Sequence, residues 1–318
     1  MSEAAGVVRR TLGANGPGVS VVSVGTSPLG STPSLYGHEV SADQAISTVR
    51  RVLESGINFL DTANEYGGGD SERRVGEAIR QAGGLPAGFV LATKADPIPG
   101  VRDFSGERVR TSYLESVERL GVDHFELFHL HDPERFGFEE LTAPGGAVDA
   151  MQELKRDGRV GLIGVAGGDL REMRRYVDLG VFDVLLTHTQ YTLLDQSADG
   201  LIDHARDAGM AVLNAGPYAS GMLAKPDDAS SKYRYQAPSP EVRIRTEAIR
   251  SLCERFGVPL AAVALQFSTR DPRILSTIVG VSSPERVDEL VRNETLVIPT
   301  ELWDALADLV GFVPGATS

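Results

Sequence analysis

Asp61, Lys94 and His131 each stand at the end of a short apolar run, and Tyr66 follows Asp61 in a Tyr-Gly-Gly-Gly turn. The runs span 57–61, 89–94 and 125–131. Side chains alternate along a strand. Ile57, Phe59 and Asp61 therefore share one face, Val90, Ala92 and Lys94 another, and Leu127, His129 and His131 a third. If these faces point inward together, an acid, an amine and an imidazole meet at one rim. The glycine turn can return Tyr66 over the same rim. Taken singly, Asp61 and Lys94 read as a salt bridge and Tyr66 as an exposed loop aromatic. Four suitable groups at adjacent strand ends favour a reactive site instead.

The chemistry these groups suit is proton transfer at an oxygen. A free phenol loses its proton near pH ~10, too high for a good base at neutrality. Lowering that value by about three units takes about 4 kcal/mol. One ammonium about 4 Å away, at an effective dielectric near 20, supplies about that much. Lys94 is therefore expected to activate Tyr66, with Asp61 holding Lys94 charged and partly offsetting its field. His131 can donate to a substrate oxygen. No nucleophile accompanies them, so hydride transfer with a cofactor supplying the hard chemistry is the reaction this set implies.

A metal site is the rival reading. His129 and His131 lie two apart on one strand and can chelate, with Asp61 and His188 as further ligands. Lys94 in the same ring repels a cation. His129, one layer deeper, reads better as a hydrogen-bonded core histidine, and no metal is expected.

Eight short runs rich in Val, Ile, Leu and Phe supply the strands: 20–25, 57–61, 89–94, 125–131, 160–166, 181–188, 210–215 and 274–279. Such continuous apolar runs belong to strands buried on both faces. Amphipathic runs separate them at 42–55, 108–120, 147–156, 170–179 and 243–256, several ending at glycine. This alternation predicts a (β/α)8 TIM barrel, with an open doubly wound sheet as the alternative. Barrel sites lie at the C-terminal strand ends, where the four residues fall. An N-terminal β-hairpin is expected from strands 7–12 and 19–24 around the turn 13–18, able to plug the barrel base. The polar segment 221–240 carries Tyr233, Tyr235, Pro238 and Pro240 and is a lid candidate. Residues 1–318 read as one domain, without repeats or linkers.

The net charge is −13, and no Lys/Arg-rich run is present, so nucleic acid is not an expected partner. No 18-residue apolar stretch and no signal-peptide pattern is found, so no membrane association and a cytoplasmic location are expected. Cys253 is the sole cysteine and reads as packing. The chain is expected as a monomer or small homo-oligomer acting on a small molecule.

The run 56–67, Gly-Ile-Asn-Phe-Leu-Asp-Thr-Ala-Asn-Glu-Tyr-Gly, followed by Ser71-Glu72 and Val75-Gly76, resembles the signature of the aldo-keto reductase superfamily. Leu-Ala-Thr-Lys at 91–94 and Leu-Phe-His-Leu-His-Asp at 127–132 resemble its lysine and histidine segments. Segments 190–196, 216–223, 233–240 and 259–267 resemble the branch of D-threo-aldose 1-dehydrogenase and L-fucose dehydrogenase, with L-galactose dehydrogenase and pyridoxal 4-dehydrogenase as near relatives. The resemblance implies Asp61, Tyr66, Lys94 and His131 as the catalytic set and NAD or NADP as cofactor. It implies oxidation of a sugar's cyclic hemiacetal carbon to a lactone, Tyr66 acting as acid/base. Carbonyl reduction of an aldehyde or ketone with NADPH and a non-catalytic NADP-binding regulatory subunit are the alternatives.

The same resemblance assigns cofactor contacts to Thr26, Asp61, His188, Pro217, Tyr218, Ser220, Gly221, Leu223, Gly280, Ser282, Arg286 and Glu289. It assigns substrate contacts to Ser27, Pro28, Tyr66, His131 and Asp132. A G-x-G-x-x-G fingerprint is absent, and the phosphates are expected near the loops after strands seven and eight. Ser283 before Pro284 reads as a helix cap there. The chain departs from the family pattern where a Ser-Asn pair, a glutamine and a stacking aromatic hold the carboxamide and ring of nicotinamide. It has Ala166-Gly167, His188 and Ala215 instead, so Tyr218 or backbone is expected to substitute. The lysine that grips the 2′-phosphate falls at Gly280, while Arg286 remains, which tilts the expectation toward NAD or use of both.

Overall fold

All eight apolar runs become strands of one closed parallel barrel in the computed structural model, which describes residues 7–13, 16–225 and 231–311. Two short strands precede it, β1 (Arg9–Thr11) and β2 (Gly18–Ser20), paired antiparallel. The barrel strands are β3 (Val22–Gly25), β4 (Phe59–Asp61), β5 (Val90–Ala95), β6 (Phe125–His131), β7 (Val160–Gly167), β8 (Val184–His188), β9 (Ala211–Ala215) and β10 (Ile274–Gly280). Each pairs with the next, and β10 closes onto β3. Parallel neighbours need a crossover between them, and helices supply it. The helix Ala42–Leu53 starts where the Ser41 hydroxyl accepts from the Gln44 amide, and buries Ala45, Val49 and Val52 against the barrel.

Two apolar layers result. Side chains facing the barrel axis form the inner one, with Phe59, Val90, Ala92, Leu127, Val184 and Leu213 among them. Leu12 and Val19 of the hairpin join that layer, so the hairpin does close the barrel base. The Arg10 guanidinium ties it there, donating to the carbonyls of Thr269, Asp271 and Ile274. The outer layer lies between strands and helices and holds the buried Cys253, whose thiol burial pushes up to about 11.

Two details differ from expectation. The run 19–24 is not one hairpin strand: the chain breaks at Val21, giving β2 to the hairpin and β3 to the barrel. Ile57 packs in the outer layer, because β4 begins only at Phe59 and alternation does not extend past its start. The five helical runs appear as Ala42–Leu53, Gly106–Leu120, Ala147–Arg156, Leu170–Asp178 and Pro240–Arg255.

Candidate active site

Inward-facing Phe59, Ala92 and Leu127 fix the parity of three neighbouring strands. Two residues further along each strand, that parity carries Asp61, Lys94 and His129 inward, with His131 at the rim above His129. The turn after β4 carries Tyr66. Gly67, Gly68 and Gly69 all have positive φ (61°, 64° and 91°), where a side chain is strained. Gly67 also lies against Gly30 of the loop after β3, and a Cβ on Gly30 would come within 3 Å of the Gly67 nitrogen and the Tyr66 carbonyl carbon. That contact of bare backbones is what lets Tyr66 lean over the rim.

The four groups meet. Lys94 Nζ donates to Asp61 Oδ1 at 2.5 Å, to the Thr62 carbonyl at 2.6 Å and to Tyr66 Oη at 3.3 Å. The Tyr66 and His131 rings stand edge to face, centroids 5.7 Å apart. Lys94 and Asp61 are buried, and burial pushes the Asp61 carboxyl up, the Lys94 pairing offsetting this in part. The Tyr66 hydroxyl is not activated as expected. Burial first, then the Asp61 charge, with Tyr36, Asp96 and Tyr235 adding to it, hold it well above an ordinary phenol. Asp61 takes the shortest contact to Lys94 and cancels much of the field that a lone ammonium would supply.

A carboxylate outside the expected set completes the group. His131 Nδ1 donates to Asp96 Oδ1 at 2.6 Å, and the Glu65 amide donates to Asp96 Oδ2 at 2.9 Å. Burial disfavours a charged His131, but Asp96 and Asp132 outweigh it and raise the imidazole above its ordinary value, Lys94 opposing them. The residue Asp132, left-handed at φ 44°, places Oδ1 3.8 Å from His131 Nε2.

His129 is fully buried, but the hydrogen bond expected of it is missing: neither ring nitrogen has a partner among the described residues. It packs over Gly164 of β7, and burial holds it well below an ordinary histidine. Among the described residues no cluster of three or more His, Cys, Asp or Glu could hold a metal ion.

The polar segment after β9 behaves as a strap. Its part from Ser231 on reaches across the loops at the C-terminal strand ends. Lys232 Nζ donates to the carbonyls of Leu35 (2.8 Å) and Ser34 (3.2 Å), and Arg234 pairs with Asp195. Tyr235 donates its hydroxyl to His188 Nε2 at 2.9 Å and stacks on that ring, while its amide donates to the Ser220 hydroxyl. Burial pushes the His188 imidazole down to about 4, so it is neutral and accepts. Residues 226–230 of the expected lid lie outside the described residues.

The expected cofactor contacts separate into two sets. Ala219, Ser220 and Gly221 run consecutively with positive φ (49°, 62° and 101°), and nothing lies within 4 Å of a Cβ placed on Gly221. The helix Pro284–Thr295 begins after Ser283, whose side chain makes no capping hydrogen bond, contrary to the expected cap. Open backbone at 219–221 and a helix start without a Ser283 cap, beside Ser282 and Arg286, fit the phosphates of a dinucleotide, with the Glu285 carboxylate, bonded to Ser283 and its own amide, standing at that start. Arg286 is engaged by Glu289 in an ion pair, and Gly280 is exposed beside Pro28. Other residues point elsewhere. Thr26 is buried, its hydroxyl spent on the Asp61 carbonyl and Ser71. Leu223 is buried in the outer layer. Tyr218 does not face the rim: it packs on the outer layer, hydrogen-bonded to Asn293. Pro217 is buried beside it. Of the expected substrate contacts, Ser27 accepts from the Tyr36 hydroxyl at 2.6 Å and Pro28 is buried. Glu134 was not foreseen. Its Oε1 accepts from the amides of Gly168 and Asp169, and a Cβ on Gly167 would strike its Oε2 and Met173. An asparagine at 167 would therefore require the ends of the Glu134 and Met173 side chains to move.

A model described as the aldo/keto reductase family matches residues 21–310. The chain is 34% identical to an L-galactose dehydrogenase of Arabidopsis thaliana, over 90% of this chain and 88% of that one. It is 30% identical to a pyridoxal 4-dehydrogenase of Microbacterium luteolum (94% and 96% covered) and to a D-threo-aldose 1-dehydrogenase of a Pseudomonas species (85% and 88%). Among solved structures, a holo aldo-keto reductase of Bacillus halodurans superposes with a TM-score of 0.77 at 24% identity, covering 98% of this chain and 97% of that one.

Proposed function

Because the chain belongs to the aldo/keto reductase family and is an NAD(P)-dependent oxidoreductase, we propose that it oxidises the hemiacetal carbon of an aldose, such as L-fucose, to a lactone. The observation that carries this reading is the buried Asp61–Lys94–Tyr66 contact beside His131 at one barrel rim, a set that handles protons and holds no nucleophile. Two relatives named for sugar oxidation support the substrate class.

A nicotinamide held at this rim would supply the acceptor for the hydride leaving the anomeric carbon. The chain's own residues handle the rest. The minor phenolate form of Tyr66 takes the anomeric hydroxyl proton, so oxidation gains with pH as that form grows; Lys94, 3.3 Å away, stabilises it and Asp61 keeps the ammonium in place. His131 Nε2 and the Asp132 carboxylate hold the sugar oxygens, with Ser27 and Pro28 on the facing loop. Neutral His188, held by Tyr235, would replace one of the usual carboxamide contacts, while the Gly168 and Asp169 amides are taken by Glu134. Ser220, Gly221, Ser282 and the start of the helix Pro284–Thr295 take the phosphates. Arg286, engaged by Glu289 and without a lysine at 280, supports NAD over NADP. The cytoplasm is the proposed setting, in keeping with the single, unpaired Cys253.

The reverse reaction, carbonyl reduction, has one observation in its favour: the raised Tyr66 hydroxyl is a proton donor at neutral pH. A screen at 340 nm of aldoses and pyridoxal with NAD and NADP, and of aldehydes with the reduced cofactors, separates the two. Absorbance rising with an aldose supports the sugar reading. Turnover of simple aldehydes alone overturns it.

A further inference from the structure

Asp61 faces Lys94, and a second fully buried carboxylate, Asp96, faces His131. Asp96 uses both oxygens on the two segments that carry proton-handling groups. Oδ1 accepts from His131 Nδ1 at 2.6 Å, and Oδ2 accepts at 2.9 Å from the amide of Glu65, the residue before Tyr66. It is itself gripped from the helix Gly106–Leu120. Its amide donates to the Ser112 hydroxyl at 3.1 Å, and Arg108 Nε donates to its carbonyl at 2.8 Å. Arg108 is buried and held by Glu115. We infer that Asp96 is a positioning residue of this site: its carboxylate aims His131 Nε2 at the substrate oxygen, favours the imidazolium, and ties His131 to the segment carrying Tyr66.

The chemistry follows from which nitrogen is engaged. With the Nδ1 hydrogen given to a carboxylate, Nε2 is the atom left for the barrel mouth, where it donates when charged and accepts when neutral. A carboxylate behind an imidazole fixes tautomer and ring orientation and stabilises the positive form, without itself taking the proton. The charged and titratable groups facing His131 are Lys94 from β5 and Asp96 just past its end, Asp61 from β4, Asp132 beside it, the Tyr66 ring from the turn after β4, His188 from β8 and His129 below. Asp96 makes the closest of the contacts measured among them. In carbonyl reduction the imidazolium donates from Nε2 beside Tyr66. In the oxidative direction the neutral ring accepts there.

This inference rests on the hydride-transfer reading of the rim, so its test has a part that needs no turnover. Long-range proton–nitrogen NMR of the histidine rings, with His131→Gln to assign the signal, reports tautomer and titration in the cofactor-free protein. The expected result is a neutral form protonated on Nδ1 and a midpoint above the ordinary histidine value of ~6.5. In Asp96→Asn the midpoint falls by about one unit or more, because an amide keeps an acceptor but loses the charge. The pH profile of kcat/KM moves the same way and kcat drops about 10- to 100-fold, while cofactor Kd stays unchanged. A neutral His131 protonated on Nε2 in the unaltered protein overturns the inference even if Asp96→Asn does not fold. So does an unmoved midpoint in a folded Asp96→Asn. Absence of any turnover in the unaltered protein, with the NMR result as expected, counts against the hydride-transfer reading and leaves the Asp96–His131 pairing standing.

Discussion

Lys94 Nζ lies 2.5 Å from Asp61 Oδ1 and 3.3 Å from Tyr66 Oη, so the ammonium is committed to the carboxylate and makes only a long contact with the phenol. Tyr66 is therefore protonated in the cofactor-free protein. Absorbance near 295 nm during alkaline titration, with Tyr66→Phe subtracted, is expected to show no phenolate from this residue below pH ~10. A phenolate signal near neutrality contradicts the assignment.

The close approach of Gly30 to Gly67 sets where Tyr66 sits. Gly30→Ala places a methyl against the Gly67 nitrogen and the Tyr66 carbonyl carbon, and the turn must retreat. A displacement of about 1 Å at a reacting group costs on the order of 10²-fold in rate. Steady-state kinetics is expected to show kcat reduced by about that factor, with the far-ultraviolet circular dichroism unchanged. Full kcat in Gly30→Ala contradicts this account of the turn.

The ion pair between Arg286 and Glu289 bears on cofactor choice. Glu289→Gln frees the guanidinium for a 2′-phosphate. The ratio of kcat/KM for NADP to that for NAD is expected to rise about tenfold, equivalent to ~1.4 kcal/mol. An unchanged ratio places Arg286 outside the phosphate site.

Glu294 carries a stability signature away from the rim. Burial, offset in part by the Thr269 hydroxyl and by Arg10, pushes its carboxyl up to about 7. The folded state holds this proton more tightly than the unfolded chain, whose value is ~4.3. Its effect favours the fold below ~4.3, is lost as pH climbs toward about 7, and is a constant penalty above. Glu294→Gln keeps an acceptor for Thr269 and removes the penalty. Its Tm is expected to exceed that of the unaltered protein by a few degrees at pH 8, from about 1–3 kcal/mol, and to match it at pH 4. Equal melting at pH 8 contradicts the raised value.

The strands and the meeting of Asp61, Lys94 and His131 were legible because a buried parallel strand reads as a continuous apolar run, and because its parity carries past its end. The same parity reaches Asp96, two residues beyond Lys94, so that residue was within reach of the alternation and was passed over only because the apolar run stops at 94. Tyr235 and Glu134 were not legible. Tyr235 acts from a turn and Glu134 from the short 3-10 helix Pro133–Arg135, on partners 47 and 34 positions away, His188 and Gly168, and no local period encodes such a contact. The outward turn of Tyr218 toward Asn293 belongs to the same class. The effect of Lys94 on Tyr66 was misjudged for a different reason: distances decide between two partners of one ammonium, and spacing in sequence holds no distances.

Transfer of deuterium from an aldose labelled at its anomeric carbon tests the central claim most directly. With C1-deuterated L-fucose, galactose or arabinose and NAD, the reduced nicotinamide is expected to carry the label, the sugar to appear as its lactone, and Tyr66→Phe to bind cofactor without forming either. Unlabelled reduced nicotinamide, or full label transfer in Tyr66→Phe, contradicts the account.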